Sequence, residues 1–135
     1  MSKAFAFIAN HTIQTLASSA TVNPGTAQHG FGCSRCGYTI DVAGNSINLR
    51  DSGYYSINVG AAVSDSAAAE VTLSLYQDGT LVAQGIETIA AANDPANIAF
   101  PAGVKVNCGS ALTLVVTTTA GDAIITGLYI TIEKV

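Results

Sequence analysis

Apolar and polar residues alternate with a period of two along much of the chain. From Tyr55 to Val63, and again from Val71 to Leu75, every second side chain is apolar. This period is that of a β-strand with one face on a hydrophobic core. Helical periodicity is nearly absent, and Gly, Asn, Asp and Pro interrupt the chain at the spacing of a sandwich or barrel. The pattern predicts an all-β protein.

Turn residues separate the predicted strands. Asp78-Gly79 tolerates positive φ, which predicts a two-residue hairpin turn between the Val71–Tyr76 strand and a partner over residues 80–84. Asp51-Ser52-Gly53 is expected to close a second hairpin, between residues 47–50 and the strand that begins at Tyr55.

Other strands and loops complete the prediction. We expect the Ala-rich stretches Ala67–Ala69 and Ala90–Ala92 to be loops, since each is too short to nucleate a helix. No repeat or change in composition divides the chain, so a single domain over residues 1–135 is predicted. The remaining strands are expected at Ala4–Ala9, Ile98–Phe100, Val104–Val106, Leu112–Thr118 and Ile124–Lys134.

Charge is sparse. The chain carries 5 basic and 9 acidic residues among 135, or 10% charged, where an ordinary domain carries about 25%. A surface so poor in charge is expected where partner subunits cover part of it. The few basic residues are dispersed, which argues against nucleic-acid binding. No apolar run approaches the roughly 18 residues of a membrane span, and the apolar run after Lys3 is too short for a secretory signal.

Three tyrosines are predicted to point away from the core. Tyr54 and Tyr76 each alternate with residues assigned to the core face. In the last strand the alternation assigns Leu128, Ile130 and Ile132 to the core face and Ile125 and Tyr129 to the outer face. Because Tyr combines an apolar body with a polar tip, Tyr54, Tyr76 and Tyr129 are the candidate subunit-interface residues. The alternative is that they are ordinary exposed strand residues with high β propensity.

The cysteines leave three interpretations open. Cys33 and Cys36 form a Cys-x-x-Cys pair, with His29 nearby and Cys108 far away in sequence. Structural zinc sites usually present two close ligand pairs, and the second is missing, so no metal site is predicted. The thiols are expected to be structural, but whether each is free, disulfide-bonded or metal-bound stays open.

Searches for chemistry find little. His11 and His29 have no nucleophile at a motif spacing, and the chain has no Gly-x-Ser-x-Gly or His-Glu-x-x-His motif. We therefore expect no catalytic residue, no cofactor and no enzymatic activity. The absence of Trp weakens a sugar-binding interpretation without removing it.

Several segments together resemble a known family. These are Asn45–Leu49, Gly53–Ile57, Val71–Gly79, Leu112–Thr118 and Tyr129–Lys134. They are similar to the tumour-necrosis-factor-like (TNF-like) and complement-type globular-head jelly roll, and the Gly-x-Tyr hairpin is the most recognisable piece. Over nearly all 135 residues, starting at Met1-Ser2-Lys3-Ala4-Phe5, the chain also resembles small proteins encoded near structural genes of bacteriophages and prophages.

This resemblance implies a two-sheet antiparallel jelly-roll sandwich that assembles as a homotrimer, with aromatic and aliphatic side chains along the three-fold axis. It implies a phage virion structural protein, a capsid decoration or head-fibre protein, made in the bacterial cytoplasm and located in the virion. Its partners would be itself and a capsid or other virion protein. The alternative is a receptor- or glycan-binding module of a tail fibre or bacterial surface, with a host surface glycan as partner.

Overall fold

The computed structural model describes residues 5–31 and 40–135, except for the side chains of residues 28–31. This part of the chain is built from β-strands joined by turns and loops, as the period-two pattern predicts. The strands are β1 (Phe5–Asn10), β2 (Gln14–Leu16), β3 (Ala20–Thr21), β4 (Thr26–Phe31), β5 (Ile40–Ala43), β6 (Ser46–Leu49), β7 (Gly53–Asp65), β8 (Ala69–Gln77), β9 (Thr80–Ile89), β10 (Ala96–Val106), β11 (Ser110–Thr118) and β12 (Ala123–Lys134).

The strands form two antiparallel sheets. The first sheet has the order β10-β7-β12-β1-β4, and the short β2 extends it beside β12. The second has the order β5-β6-β11-β8-β9, with β3 beside β11. Strands that follow each other along the chain therefore often lie in different sheets, as in a jelly roll.

The core lies between the two sheets and is filled by alternate side chains from both. Tyr55, Ile57 and Val59 of β7 face it from the first sheet, and Leu73 and Leu75 of β8 face it from the second. All five are at most 2% exposed. The buried apolar residues form one cluster, which is the sandwich core that the alternation predicts.

The Asp78-Gly79 hairpin is confirmed. Gln77 pairs with Thr80 across the turn, which leaves two residues in the loop. Asp78 has φ +50° and Gly79 has φ +86°, and two successive positive φ values define a type I′ turn, whose twist matches that of the flanking strands.

The hairpin predicted around Asp51-Ser52-Gly53 is wrong. The strand before it, β6, pairs with β5 and β11 in the second sheet, whereas β7 after it pairs with β10 and β12 in the first. This segment crosses from one sheet to the other. Period-two alternation identifies the buried side chains, but a hairpin partner and a strand in the facing sheet have the same alternation.

The outward orientation predicted for Ile125 is also wrong, since this side chain is 0% exposed. The pairing of β12 with β7 shifts between Ile125 and Gly127, so Thr126 is the extra residue of a β-bulge. A bulge inserts one residue and reverses the inside-outside assignment beyond it. Ile125 before the bulge and Leu128 after it consequently both face the core.

The two strands predicted at Ile98–Phe100 and Val104–Val106 are parts of a single strand, β10, which runs through Pro101. Pro lacks the backbone N–H that would donate a hydrogen bond in a central strand. Among the described strands, however, β10 is at the edge of its sheet and has β7 as its one neighbour. Residues 90–92 form a loop as predicted, whereas Ala69 is already the first residue of β8.

A candidate subunit interface on the first sheet

The outer face of the first sheet, called here the first-sheet face, carries two of the three predicted contact residues, Tyr54 and Tyr129. On each strand it is formed by the side chains that alternate with the buried ones. The described side chains of its four long strands are Phe5 and Phe7 of β1, Tyr54, Ser56, Asn58 and Ala62 of β7, Asn97, Ala99, Pro101 and Lys105 of β10, and Ile124, Tyr129, Thr131 and Glu133 of β12.

This face is nearly free of charge. Among those side chains only Lys105 and Glu133 are ionisable at neutral pH, and both lie toward the same end of the sheet. The rest are aromatic, aliphatic or small neutral polar residues. A surface of this composition resembles the depleted-charge, Tyr-enriched core of a protein interface more than an ordinary solvated surface.

Tyr129 lies across the centre of the face. It pairs with Gly60 of β7, and a Cβ atom added to Gly60 would lie 2.2 Å from Cζ of the tyrosine ring. The ring therefore occupies the space that the side chain of any other residue at position 60 would fill, and it buries the glycine backbone. Even so, 47% of Tyr129 is accessible in the single chain, which leaves one surface of the ring open to a partner.

Tyr54 lies near the end of the same face, close to the C-terminus. It is 61% exposed, and its carbonyl accepts a hydrogen bond from the Val135 amide at 2.8 Å. The Lys105 ammonium lies 5.8 Å from the centre of the Tyr54 ring, within the range of a cation–π interaction. This contact holds the lysine head group at the surface of the first-sheet face.

Tyr76 does not lie with the other two. It belongs to β8 in the second sheet, where it pairs with Thr113 on one side and Leu81 on the other. Its side chain is half-buried on the outer surface of that sheet, on the opposite side of the sandwich from Tyr54 and Tyr129. Sequence alternation identified three outward tyrosines but could not assign them to sheets.

A shallow groove of about 270 Å³ runs beside Tyr129 on the first-sheet face. Gly60, Ala62, His11 and Asn97 are among the residues that line it. The small residues Gly60 and Ala62 leave space beside the large Tyr129 ring. The groove lies within the surface already defined by low charge.

Two polar side chains near strand ends, Tyr55 and Arg50, have structural partners. Tyr55 donates a hydrogen bond from its hydroxyl to the Asp51 carbonyl at 2.8 Å, and burial raises the pKa of this phenol, with the nearby Asp51 charge adding to the effect. Arg50 pairs with Asp41 at 2.8 Å on the second sheet, and this hydrogen bond raises the pKa of the guanidinium. These contacts stabilise the strand ends and form no reactive arrangement.

The predicted cysteine pair, Cys33 and Cys36, lies outside the described residues, while Cys108 is a free, exposed thiol in the turn between β10 and β11. Within residues 5–31 and 40–135, no group of three or more His, Cys, Asp or Glu side chains is placed to hold a metal ion. The same part of the chain contains no helix long and apolar enough to cross a membrane.

Comparison with solved structures identifies the architecture. A crystal structure of murine APRIL at pH 5.0 superimposes with a TM-score of 0.74 at 9% sequence identity, covering 99% of this chain and 100% of that one. The structure of Eiger TNF from S. frugiperda gives a TM-score of 0.69 at 15% identity, covering 98% and 91%. The fold is a TNF-like jelly roll. No family model matches the chain, and no curated protein matches it either.

The superpositions cover 98–99% of this chain and 91–100% of the other chains, although fewer than one residue in six is identical. The fold is therefore shared at very low sequence identity. The role of the side chains on the first-sheet face depends on their own chemistry and not on the fold alone.

Sequence reasoning missed two features of the face. The sequence predicts a first strand that contains Phe5 and Phe7 but does not predict which side of the sheet they occupy. In the structure both side chains are half-buried on the outer side of β1. The role of Gly60 was not predicted, because nothing local indicates that a glycine will lie beneath a ring from a strand almost 70 residues later.

Proposed function

We propose that this chain is a non-enzymatic structural protein that assembles into a homotrimer through the first-sheet face. The observation that carries the proposal is the combination of very low charge on this face with the half-open ring of Tyr129 at its centre. Association would remove that ring, and the half-buried Phe5 and Phe7 side chains of β1 on the same face, from water.

A closed ring of three copies follows from the TNF-like resemblance together with the shape of the face. Among the described strands β10 is the outermost strand of the first sheet beside β7, so this edge of one copy can lie against the face of the next. A contact between two different patches produces a closed ring when the rotation relating neighbouring copies closes, and a rotation of one third of a turn closes with three copies. Three copies of the sandwich would then enclose the first-sheet faces and expose the second sheets.

We further propose that the trimer is a component of a bacteriophage virion, made in the bacterial cytoplasm and attached to the capsid as a decoration or head-fibre protein. The support is the resemblance, from Met1-Ser2-Lys3-Ala4-Phe5 onward, to small proteins encoded near phage structural genes. Such a role requires binding and packing, and it needs no catalytic site.

The assembly is tested by size-exclusion chromatography with light scattering. The proposal predicts a particle of about 41 kDa, three times the chain mass of 13.7 kDa, at micromolar concentration. A particle of 13.7 kDa over the whole concentration range would refute it. A dimer of about 27 kDa, twice that mass, would refute the three-fold arrangement.

The virion role is tested by mass spectrometry of gradient-purified phage particles from a lysogen that carries the gene. The proposal predicts that the chain co-sediments with the major capsid protein at a fixed ratio and survives washing. Absence from the particle would refute a virion role. Presence only in isolated tails, with saturable binding to host-surface polysaccharide, would favour the receptor- or glycan-binding alternative.

A further inference from the structure

The two charged side chains of the first-sheet face have opposite signs and lie on different parts of it. Lys105 is on β10, the edge strand, and Glu133 is on β12, two strands farther into the sheet. Both side chains are exposed. Within the described residues neither makes an ion pair, since the salt bridge found there joins Arg50 to Asp41.

The strand register places these two residues at nearly the same level along the strands. Lys105 pairs with Tyr54 of β7, and Glu133 pairs with Ser56 of the same strand. Two residues of a strand correspond to a separation of about 7 Å along its direction. Extended lysine and glutamate side chains span this offset.

Rotational symmetry decides which assemblies bring these charges together. If the symmetry axis runs parallel to the strands, a given residue has the same position along the axis in every copy. The β10 edge of one copy can then bring Lys105 to Glu133 on the face of the next. If two faces meet about a two-fold axis perpendicular to the strands, the ends are exchanged. Lys105 would then lie far from Glu133 of the other copy, against the opposite end of the face, which carries Ala62 and Ile124.

We infer that Lys105 of one copy pairs with Glu133 of a second copy of this chain, and that this pair sets the parallel, cyclic orientation of the assembly. The inference rests on the proposed homotrimer and adds the contact that determines its geometry. A charge pair at the margin of an otherwise neutral interface contributes mainly to specificity, because it penalises arrangements that leave either charge facing apolar surface. Lys105 is already held at this surface by the Tyr54 ring.

The test is a charge-swap cycle measured as the monomer concentration at which the trimer half-dissociates, by sedimentation velocity at low salt. Lys105→Glu places Glu against Glu133, and Glu133→Lys places Lys against Lys105. Since three like-charged pairs arise per trimer, each single variant is expected to raise the half-dissociation concentration by about tenfold or more. The double variant restores an opposite pair and is expected to return within about threefold of the wild type.

Glu70→Lys is the matched control for Glu133→Lys, because Glu70 is an exposed strand residue of the second sheet and the charge changes by the same amount in the same direction. It is expected to leave the half-dissociation concentration unchanged. If the wild type is trimeric and the single variants behave like the control, or the double variant is as weak as the singles, the pairing is wrong while the trimer stands. A monomeric wild type would overturn both.

Discussion

Removal of the Tyr129 ring should weaken association far more than it weakens the fold. A tyrosine side chain contributes about 150–250 Å² of burial, and 47% of Tyr129 is still accessible in the single chain. Roughly 100 Å² per copy therefore remains to be buried by a partner. At about 25 cal/mol per Å² this corresponds to ~2.5 kcal/mol for each copy and ~7 kcal/mol for a trimer.

The assay for Tyr129→Ala is sedimentation velocity over a concentration series. Because the dissociation constant of a trimer varies as the square of the monomer concentration, a loss of ~7 kcal/mol raises the half-dissociation concentration by roughly 300-fold. Far-UV circular dichroism at the same concentrations should show the β-sheet spectrum of the wild type, since the ring lies on the outside of the first sheet and not in its core.

Tyr76→Ala supplies the control, since the same ring is removed from the outer surface of the second sheet. We expect it to leave the half-dissociation concentration within about threefold of the wild type. An interface on the first-sheet face would be refuted if Tyr129→Ala associated as well as the wild type. It would also be refuted if Tyr76→Ala caused the larger loss, since the interface would then lie on the second sheet.

Three further predictions concern the fold and are measured by urea unfolding. Burial raises the pKa of the Tyr55 phenol above its usual value of 10.0, so its contribution to stability is complete below pH 10.0 and is lost as the pH rises through the raised pKa. Tyr55→Phe removes the hydrogen bond to the Asp51 carbonyl and should lower the free energy of unfolding by about 1 kcal/mol at pH 7. Between pH 9 and pH 11 the variant should lose less further stability than the wild type, and equal losses would contradict this. Gly79→Ala should cost about 1–2 kcal/mol, because φ is +86° at this turn position; an unchanged stability would show that the turn relaxes. Gly85→Ala should lower the free energy of unfolding by about 1–3 kcal/mol, because the new Cβ would lie 2.5 Å from Cγ2 of Ile98 in the facing sheet. Gly127→Ala is the control: its Cβ would meet nothing within 4 Å, so the stability should stay close to that of the wild type.

The sequence pattern predicted which residues are buried in the sandwich more accurately than it predicted how the strands are connected and paired. Alternation assigns Ile57, Leu73 and Ile130 to the core because burial of one face imposes a period of two, and all three are fully buried. The turn at Asp78-Gly79 was predictable for a local reason, since two positive φ values restrict the residues that fit. The same local information could not predict that the chain changes sheets at Asp51-Ser52-Gly53.

The incorrect predictions have one physical cause: each feature depends on a strand that is distant in sequence. The bulge at Thr126 exists only in the pairing of β12 with β7, so the orientation of Ile125 could not be derived from β12 alone. Pro101 normally ends a strand, but it is tolerated because β10 is at the sheet edge. The separation of Tyr76 from Tyr129 likewise follows from sheet membership and not from alternation.

A crystal structure of the purified protein would show whether copies of the chain associate through the first-sheet face. We expect three copies around an axis parallel to the strands, with Tyr129 of every copy buried and Lys105 of each copy beside Glu133 of its neighbour. Copies that meet through the second sheet, with the Tyr129 rings left open to solvent, would contradict it.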